Sequence, residues 1–178
     1  MEGNKKSKTA AVIFLTVIIA AAALWLAFFK NPSPDGSTLE SREKLISGLD
    51  DGKDWMIDKE LVIGDHIISS AYSSGNKASL VTFKAEGKDG YSVQSSVKRN
   101  KDEIITDTVD IDGKGYVLIT FMGAETEYAM VTCTDNVSGE ESTVKYDAEV
   151  SDIIYFESPS HDFTMNVVYY DAEGNVYE

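Results

Sequence analysis

The chain has 178 residues and a formal net charge of −14, with 30 Asp and Glu against 16 Lys and Arg. The 148 residues after Lys30 hold 29 acidic and 12 basic side chains, a formal charge of −17. This charge argues against nucleic acid as a partner, because binding to phosphate needs clustered cations. It also argues against docking on anionic lipid, and it favours a soluble, well-dispersed surface.

Cys133 is the single cysteine of the chain, so no intramolecular disulfide can form. Exported domains that depend on disulfides carry an even set of cysteines. A folded part of about 120–130 residues buries enough apolar surface to be stable without them. We therefore expect a domain held by its core, and the avoidance of cysteine favours a bacterial source.

The first predicted element is an apolar run of twenty residues, Ala10 to Phe29, in which Thr16 is the only polar side chain. A helix rises about 1.5 Å per residue, so this length spans the roughly 30 Å hydrocarbon core of a bilayer. Three lysines stand within residues 1–9, and this flank favours the cytoplasmic side. The pattern predicts a cytoplasmic basic tail over 1–9 and a single-pass signal-anchor helix over 10–29, with the following residues outside the cytoplasm.

Two other interpretations of this segment stay open. A cleaved signal peptide needs small residues at its cleavage site, and Ala20 to Ala23 could supply them. Against cleavage, the apolar run continues from Leu24 to Phe29, whereas polar sequence normally follows a cleavage site. A pilin-type segment also joins a basic leader to an apolar helix, but its usual early glutamate is missing here.

Residues 30–53 are predicted to form a linker and a short helix. Asn31 to Ser37 reads NPSPDGS, and two prolines with a glycine resist regular structure. Ser37 is the predicted N-cap, and Glu40 three residues later would complete a capping box. Gly48 is expected to end the helix.

From residue 54 onward, apolar side chains recur at every second position, which is typical of strands with one buried face. The alternating runs are Trp55–Ile63, Leu80–Ala85, Tyr91–Val97, Ile105–Ile111, Val117–Phe121, Tyr128–Cys133, Val144–Val150, Ile153–Phe156 and Phe163–Tyr169. In two of these runs, the alternating residues are predicted to share one face of the strand. They are Trp55, Ile57, Leu61 and Ile63 in the first run, and Tyr91, Val93, Ser95 and Val97 in the third.

Turn signals separate these runs, and Asp112-Gly113 is the strongest, because a two-residue hairpin turn needs positive φ. Eight or so short strands with frequent turns and no long helical pattern predict a mainly β fold. The specific expectation is a single antiparallel β-sandwich over residues 54–178, with immunoglobulin-like and jelly-roll layouts both left open. No motif in the chain identifies a family.

Weak calcium binding is the first metal hypothesis, and Asp110 and Asp112 are its main candidates. An EF-hand loop needs acids at positions 1, 3 and 5, Gly at 6 and Glu at 12. With Gly113 at position 6, positions 1 and 12 are Thr108 and Ile119, so the loop fails and a hairpin is preferred. The other loop acids that could gather calcium are Asp50, Asp51, Asp54, Asp171 and Glu173.

A blue-copper site is a second metal hypothesis, since His66, Cys133, His161 and Met165 are its residue types. Such sites usually draw the cysteine and one histidine from a single loop, but Cys133 and His161 are 28 positions apart. Cys133 lies in an alternating run and is better interpreted as a small core residue. We therefore predict no cofactor.

Catalytic motifs are weaker still. Ser-x-x-Lys occurs at Ser41, Ser74 and Ser95, and its repetition within one chain indicates chance rather than a nucleophile with its lysine base. Glu125 and Glu127 could act as paired carboxylates, but a turn beside Gly123 is the simpler interpretation. We predict no catalytic residue and no enzyme.

The expected function is a non-enzymatic binding or interaction role at the cell envelope. The predicted partners are the membrane, crossed once with the N-terminus in the cytoplasm, and an envelope protein or glycan. A pilin-like subunit and an envelope enzyme without a recognisable motif stay open as alternatives.

Overall fold

The computed structural model describes residues 34–50, 54–88 and 90–177. The predicted cytoplasmic tail and signal-anchor helix, residues 1–29, lie outside the described residues. No helix in the described ranges is long and apolar enough to cross a membrane. The chain divides into two units, and the second, Asp35–Glu178, contains every element described below.

Helix α1, Leu39–Gly48, confirms the predicted short helix but begins with a different cap. Thr38 is the N-cap, and its hydroxyl accepts a hydrogen bond from the Ser41 amide at 3.1 Å. The expected cap, Ser37, instead donates its amide and its hydroxyl to Asp35 Oδ1, at 3.0 and 2.7 Å. This turn engages the Ser37 hydroxyl before the helix begins, so the capping role passes to the next residue.

The expected capping box does not form, because Glu40 Oε1 accepts from Lys44 Nζ at 2.7 Å. Gly48 is the last helical residue, as predicted. The helix buries Ile46 against the sheet beneath it.

The described residues form eleven strands, more than the eight or so expected. Their bounds are β1 Trp55–Ile63, β2 His66–Ser73, β3 Lys77–Glu86, β4 Gly90–Asn100, β5 Ile105–Ile111, β6 Lys114–Thr120, β7 Tyr128–Asp135, β8 Glu141–Asp147, β9 Ile154–Glu157, β10 Phe163–Tyr170 and β11 Val176–Tyr177. Three sheets result: the first sheet in the order β1-β2-β3-β4, the second β5-β6-β9 and the third β11-β10-β7-β8. All their pairings are antiparallel.

Three apolar cores lie in series through these layers. The first core joins α1 to the first sheet, through residues such as Ile46 and Phe83. The second core joins the first and second sheets, and the third core joins the second and third sheets. Strand β6 serves both, because Leu118 packs in the second core while Val117 and Ile119 pack in the third.

The mainly β, antiparallel prediction is therefore confirmed, whereas the single β-sandwich is not. A sandwich has two sheets and one core between them, but this unit stacks a helix and three sheets.

A bulge in β1 overturns the predicted single face of that strand. The register shifts between Ile57 and Lys59. Trp55 and Ile57 consequently pack on the first core, and Leu61 packs on the second. One extra residue reverses the side-chain alternation, so positions of the same parity point to opposite faces.

Strand β4 repeats this correction. Its register against β3 shifts where Thr82 and Phe83 pair with Ser95 and Val93. Val93 therefore packs on the first core, while Val97 packs on the second. The predicted face of four residues is divided between two cores.

Strand β2 was missed, because it lacks alternation. It is a central strand, covered by α1 on one side and the second sheet on the other. Ser69 and Ser70 are buried in it and donate hydrogen bonds to Glu60 Oε1 and the Ser151 carbonyl.

The Asp112-Gly113 hairpin is confirmed. Both residues have positive φ, 54° and 77°, and Ile111 pairs with Lys114 across the turn. This geometry is typical of a type I′ turn between adjacent strands.

Candidate interaction surface

Strands β7 and β10 carry an uncharged set of side chains on the outer surface of the third sheet, named here the neutral face. The edge strand β8 beside them carries Glu141, Lys145 and Asp147 on the same surface. Residues of β7 and β10 alternate, so those next to third-core residues such as Val131 and Tyr169 point away from the core. The neutral face consists of Tyr128, Met130, Thr132 and Thr134 from β7 and Thr164, Asn166, Val168 and Tyr170 from β10. Thr164 and Asn166 are exposed and the other six are half-buried.

Cross-strand pairing fixes how these side chains meet. Met130 lies opposite Val168, Thr132 opposite Asn166, and Thr134 opposite Thr164. One end of the face is thus aromatic and aliphatic, and the other carries hydroxyl and amide groups.

The aromatic end is organised by stacking. The Tyr128 and Tyr170 rings lie 4.7 Å apart between centroids, with an interplanar angle of 8°. On the edge strand, Lys145 Nζ lies 3.8 Å from the Tyr128 ring centroid. The Tyr128 ring therefore has an aromatic neighbour and a cation, contacts that hold it in place.

The polar end is joined to its surroundings by side-chain hydrogen bonds. Thr132 and Thr143 share one between their hydroxyls at 2.9 Å. The Thr164 hydroxyl donates to Asn136 Oδ1 at 3.4 Å, and Asn136 Nδ2 donates to Asp162 Oδ1 at 2.7 Å. These hydroxyls retain further donor or acceptor capacity toward solvent.

The charge contrast distinguishes this surface. One residue in four of the chain is charged, 26%, yet these eight outward positions carry no charge. Tyrosine and methionine are enriched, and carboxylates depleted, at the centre of protein–protein interfaces. The composition of the neutral face fits such a centre.

No family model, curated protein or solved structure matches this chain. The interpretation of the surface therefore depends on its own geometry. Sequence reasoning placed Tyr128, Met130 and Thr132 on one side of a strand, and the structure confirms that placement. Sequence reasoning did not identify the outward residues of β10, although the absence of charge among these alternate positions could have indicated them.

Asp110 and Asp112, the predicted calcium candidates, both lie at the β5–β6 hairpin. Asp110 Oδ1 accepts a hydrogen bond from the Gly113 amide at 3.1 Å, which stabilises the turn. Within residues 34–50, 54–88 and 90–177, no group of three or more His, Cys, Asp or Glu is arranged to hold a metal ion.

The other calcium candidates are scattered. Asp50 pairs with Lys98 at 2.7 Å, and Asp51 lies outside the described residues. Asp171 accepts hydrogen bonds from the Asn175 side chain and amide, at 2.8 and 2.7 Å. These bonds lower the pKa of the Asp171 carboxyl.

The four blue-copper residue types do not converge. Cys133 and Met165 are cross-strand neighbours in the third sheet, but His66 is buried in the first sheet and His161 precedes β10. Cys133 packs against the third core, and burial raises the pKa of its thiol. It behaves as a core residue.

The Ser-x-x-Lys pairs that begin at Ser41, Ser74 and Ser95 show no hydrogen bond between the serine and its lysine. The Ser41 hydroxyl donates to Asp35, while Lys44 pairs with Glu40. Ser95 donates to Asp107, while Lys98 pairs with Asp50.

Glu125 and Glu127 lie in the loop between β6 and β7, as the turn interpretation predicted. They line an open groove of about 660 Å³ together with other acidic side chains. Those neighbours are Asp58, Glu149, Asp171 and Glu173.

Proposed function

We propose that the chain is a membrane-anchored, extracytoplasmic interaction protein without enzymatic activity. The support for anchoring is the apolar run of residues 10–29 with its lysine flank. The support for an interaction role is the neutral face, which is the single observation that carries this proposal.

The neutral face favours a folded protein partner over a nucleic acid or a charged polymer. A chain with net charge −14 repels anions over most of its surface. The eight adjoining uncharged positions let a partner contact β7 and β10 without burying a carboxylate of those strands, while the charges of β8 lie at the rim. Association there depends on apolar contact and hydrogen bonds rather than on salt bridges.

A glycan fits this geometry less well. A sugar ring would need an open aromatic ring face on which to lie, but the Tyr128 ring stacks on Tyr170 and is also contacted by Lys145 Nζ. A protein surface can use the exposed ring edges, the Met130 side chain and the row of threonine hydroxyls. We therefore choose an envelope protein as the partner.

The neutral face is also remote from the point where the described chain begins. Asp35 leads into α1, which packs on the outer side of the first sheet. The neutral face is the outer side of the third sheet, at the opposite end of the stack.

Site-specific photo-crosslinking in cells tests the proposal. A photoreactive amino acid replaces Val168 on the neutral face of the full chain. The matched control is the same replacement of Val62, a valine in β1 that is 66% exposed. We expect one discrete cross-linked product from position 168, weakened when Met130→Asp is added, and none from position 62.

Equal cross-linking from both positions, or none from position 168, would contradict a partner on the neutral face. Mass spectrometry of the product identifies its composition. A product containing only copies of this chain, or a glycan, would contradict the proposed class of partner.

A further inference from the structure

Strand β8 is an unusually open edge of the third sheet. It pairs with β7, and six of its seven residues are exposed. Among the described strands, none pairs with its other side. An exposed edge presents unpaired backbone N–H and C=O groups that can accept another strand.

An apolar cleft runs beside this edge. Its volume is about 180 Å³, and Val144 at its margin is 43% exposed. The apolar and thiol side chains that line it are Val131, Cys133, Val144, Tyr146, Phe156 and Pro159. A strand added to β8 would bring side chains of alternate residues over this cleft.

One usual protection of such an edge, a lysine directed across it, is displaced here. Natural edges are often guarded by a lysine that blocks an incoming strand. Lys145 is the lysine of β8, but its Nζ lies over the Tyr128 ring, 3.8 Å from the centroid. The charge is thus drawn over the neutral side of the sheet.

The charges of β8, together with the length of strand that is paired, favour one way for two copies to associate. In an antiparallel pair centred on Thr143, Glu141 of each copy lies opposite Lys145 of the other. The flexible Lys145 side chain would turn from the Tyr128 ring to that carboxylate, which is favourable twice.

Pairing centred on Val144 would oppose Glu141 and Asp147, and pairing centred on Lys145 would oppose two lysines. Opposed like charges are destabilising, so these two registers are disfavoured. Pairing centred on Tyr146 would also oppose Lys145 and Asp147 twice, but it joins only three residues of β8 instead of five, so the longer Thr143 register is preferred.

We propose that two copies of this chain associate through antiparallel β8–β8 pairing, with the two-fold axis at Thr143. The contact is isologous and closes as a dimer. It joins two four-stranded third sheets into one eight-stranded sheet, and it places Val144 of each copy beside the apolar cleft of the other. Two acidic copies repel each other, but physiological salt screens this repulsion beyond about 8 Å. The contact uses the strand edge and leaves the neutral face free.

Disulfide trapping of the full chain in membranes tests the register. A Cys133→Ser parent removes the native thiol, and Thr143→Cys then adds a single cysteine at the predicted axis. Opposite Cα atoms in antiparallel strands are about 4.5–5.5 Å apart, within the range of a disulfide. Thr132→Cys is the matched control, because Thr132 pairs with Thr143 one strand further in.

We expect mild oxidation to link the Thr143→Cys protein into a dimer and to leave the Thr132→Cys protein monomeric. Equal linkage at both positions would indicate random collision and would overturn the proposal. Absence of linkage at position 143 would overturn it as well.

Charge reversal supplies a second test. A variant that merely misfolds cannot imitate its result, because the double variant is expected to recover what each single variant loses. In the Thr143→Cys parent, Glu141→Lys alone or Lys145→Glu alone should slow dimer trapping about fivefold, because each opposes like charges twice. The double variant restores opposite charges and should recover the parental rate. Unchanged trapping in both single variants, or no recovery in the double variant, would overturn the register.

Discussion

Arg42 of helix α1 reaches Glu60 of β1 and donates to both of its carboxylate oxygens. Nε lies 2.8 Å from Oε1 and Nη2 lies 2.7 Å from Oε2. Ser69 donates to the same carboxylate at 2.9 Å. The Arg42 side chain is 9% exposed and that of Glu60 is 24% exposed. The bulge between Ile57 and Lys59 turns Glu60 toward the helix, so this ion pair depends on the bulge.

Removal of the Arg42 guanidinium should destabilise the domain. We expect Arg42→Met to lower the free energy of unfolding by about 2–3 kcal/mol, because Glu60 keeps its charge in a partly buried place without its bidentate partner. Lys44→Met on the same helix is the control, since its pair with Glu40 is exposed and should cost about 0.5 kcal/mol or less. Urea unfolding of residues 35–178 measures both, and equal losses would contradict the importance of the Arg42 pair.

Deletion of Asp58 should be far more damaging than its exposed position implies. Without the extra residue, Trp55 and Leu61 cannot both reach their separate cores. We expect a loss of more than about 3 kcal/mol, in the range of a large core side chain lost from its site. Trp55 is the single tryptophan of the domain and is 3% exposed, so its fluorescence should shift to longer wavelength. Deletion of Lys88 in the β3–β4 turn is the control, and a similar shift there would argue against the bulge.

Both a positive φ and a lack of space for a side chain require glycine at position 36. Gly87 has the positive φ alone, so a comparison of the two positions separates these effects. The φ of Gly36 is +72°, and an added Cβ would lie 2.6 Å from the Tyr91 carbonyl oxygen. Gly87 has a similar φ of +68° but no atom within 4 Å of that position. Gly87→Ala should therefore cost about 1 kcal/mol of unfolding free energy from backbone strain alone, and Gly36→Ala at least about twice as much. Equal costs in thermal or urea unfolding would show that the contact with Tyr91 relaxes freely.

The turn before α1 should lose its stabilising effect in acid. Hydrogen bonds from the Ser37 hydroxyl and amide and from the Ser41 hydroxyl lower the pKa of Asp35 below its ordinary 3.8. A lowered pKa stabilises the folded state above the ordinary value, and this effect is lost as pH falls through the folded-state pKa. We expect Ser37→Ala to raise the pKa of Asp35 in an NMR titration. Its stability difference from the parent should be largest near neutral pH and disappear in strong acid. A pKa of Asp35 at or above 3.8 in the parent protein would contradict this.

Local alternation and turn chemistry made much of the strand pattern predictable. The face shared by Val117, Ile119 and Phe121 follows from a period of two, and all three residues pack together in the third core. The Asp112-Gly113 hairpin follows from the φ that those residues tolerate. These features depend only on residues that are close in the sequence, so a single sequence is enough to predict them.

The number of sheets could not be predicted from the alternation of apolar and polar residues. A bulge leaves the polarity of the sequence unchanged, so Trp55 and Leu61 look like one face although they serve two cores. Strand β2 is covered on both sides and contains several small polar residues such as Ser69. In the sequence, such a composition is typical of a loop. The three-sheet stack follows from these two features together.

The neutral face was hidden for a related reason. Tyr170 and Tyr128 belong to runs more than thirty residues apart, and only strand pairing shows that their rings stack. By contrast, Asp110 and Asp112 drew attention through a local motif that proves to be turn chemistry.

The anchored, extracytoplasmic location in the proposed function depends on the topology of the full chain. Fusions after Glu178 to a phosphatase active only outside the cytoplasm, and to a protein that fluoresces only inside it, measure this directly. We expect phosphatase activity without fluorescence, in a membrane-bound product whose N-terminal peptide, residues 1–9, is retained. Cytoplasmic fluorescence would contradict the orientation, and a mature N-terminus after Ala22 or Ala23 would contradict the anchor.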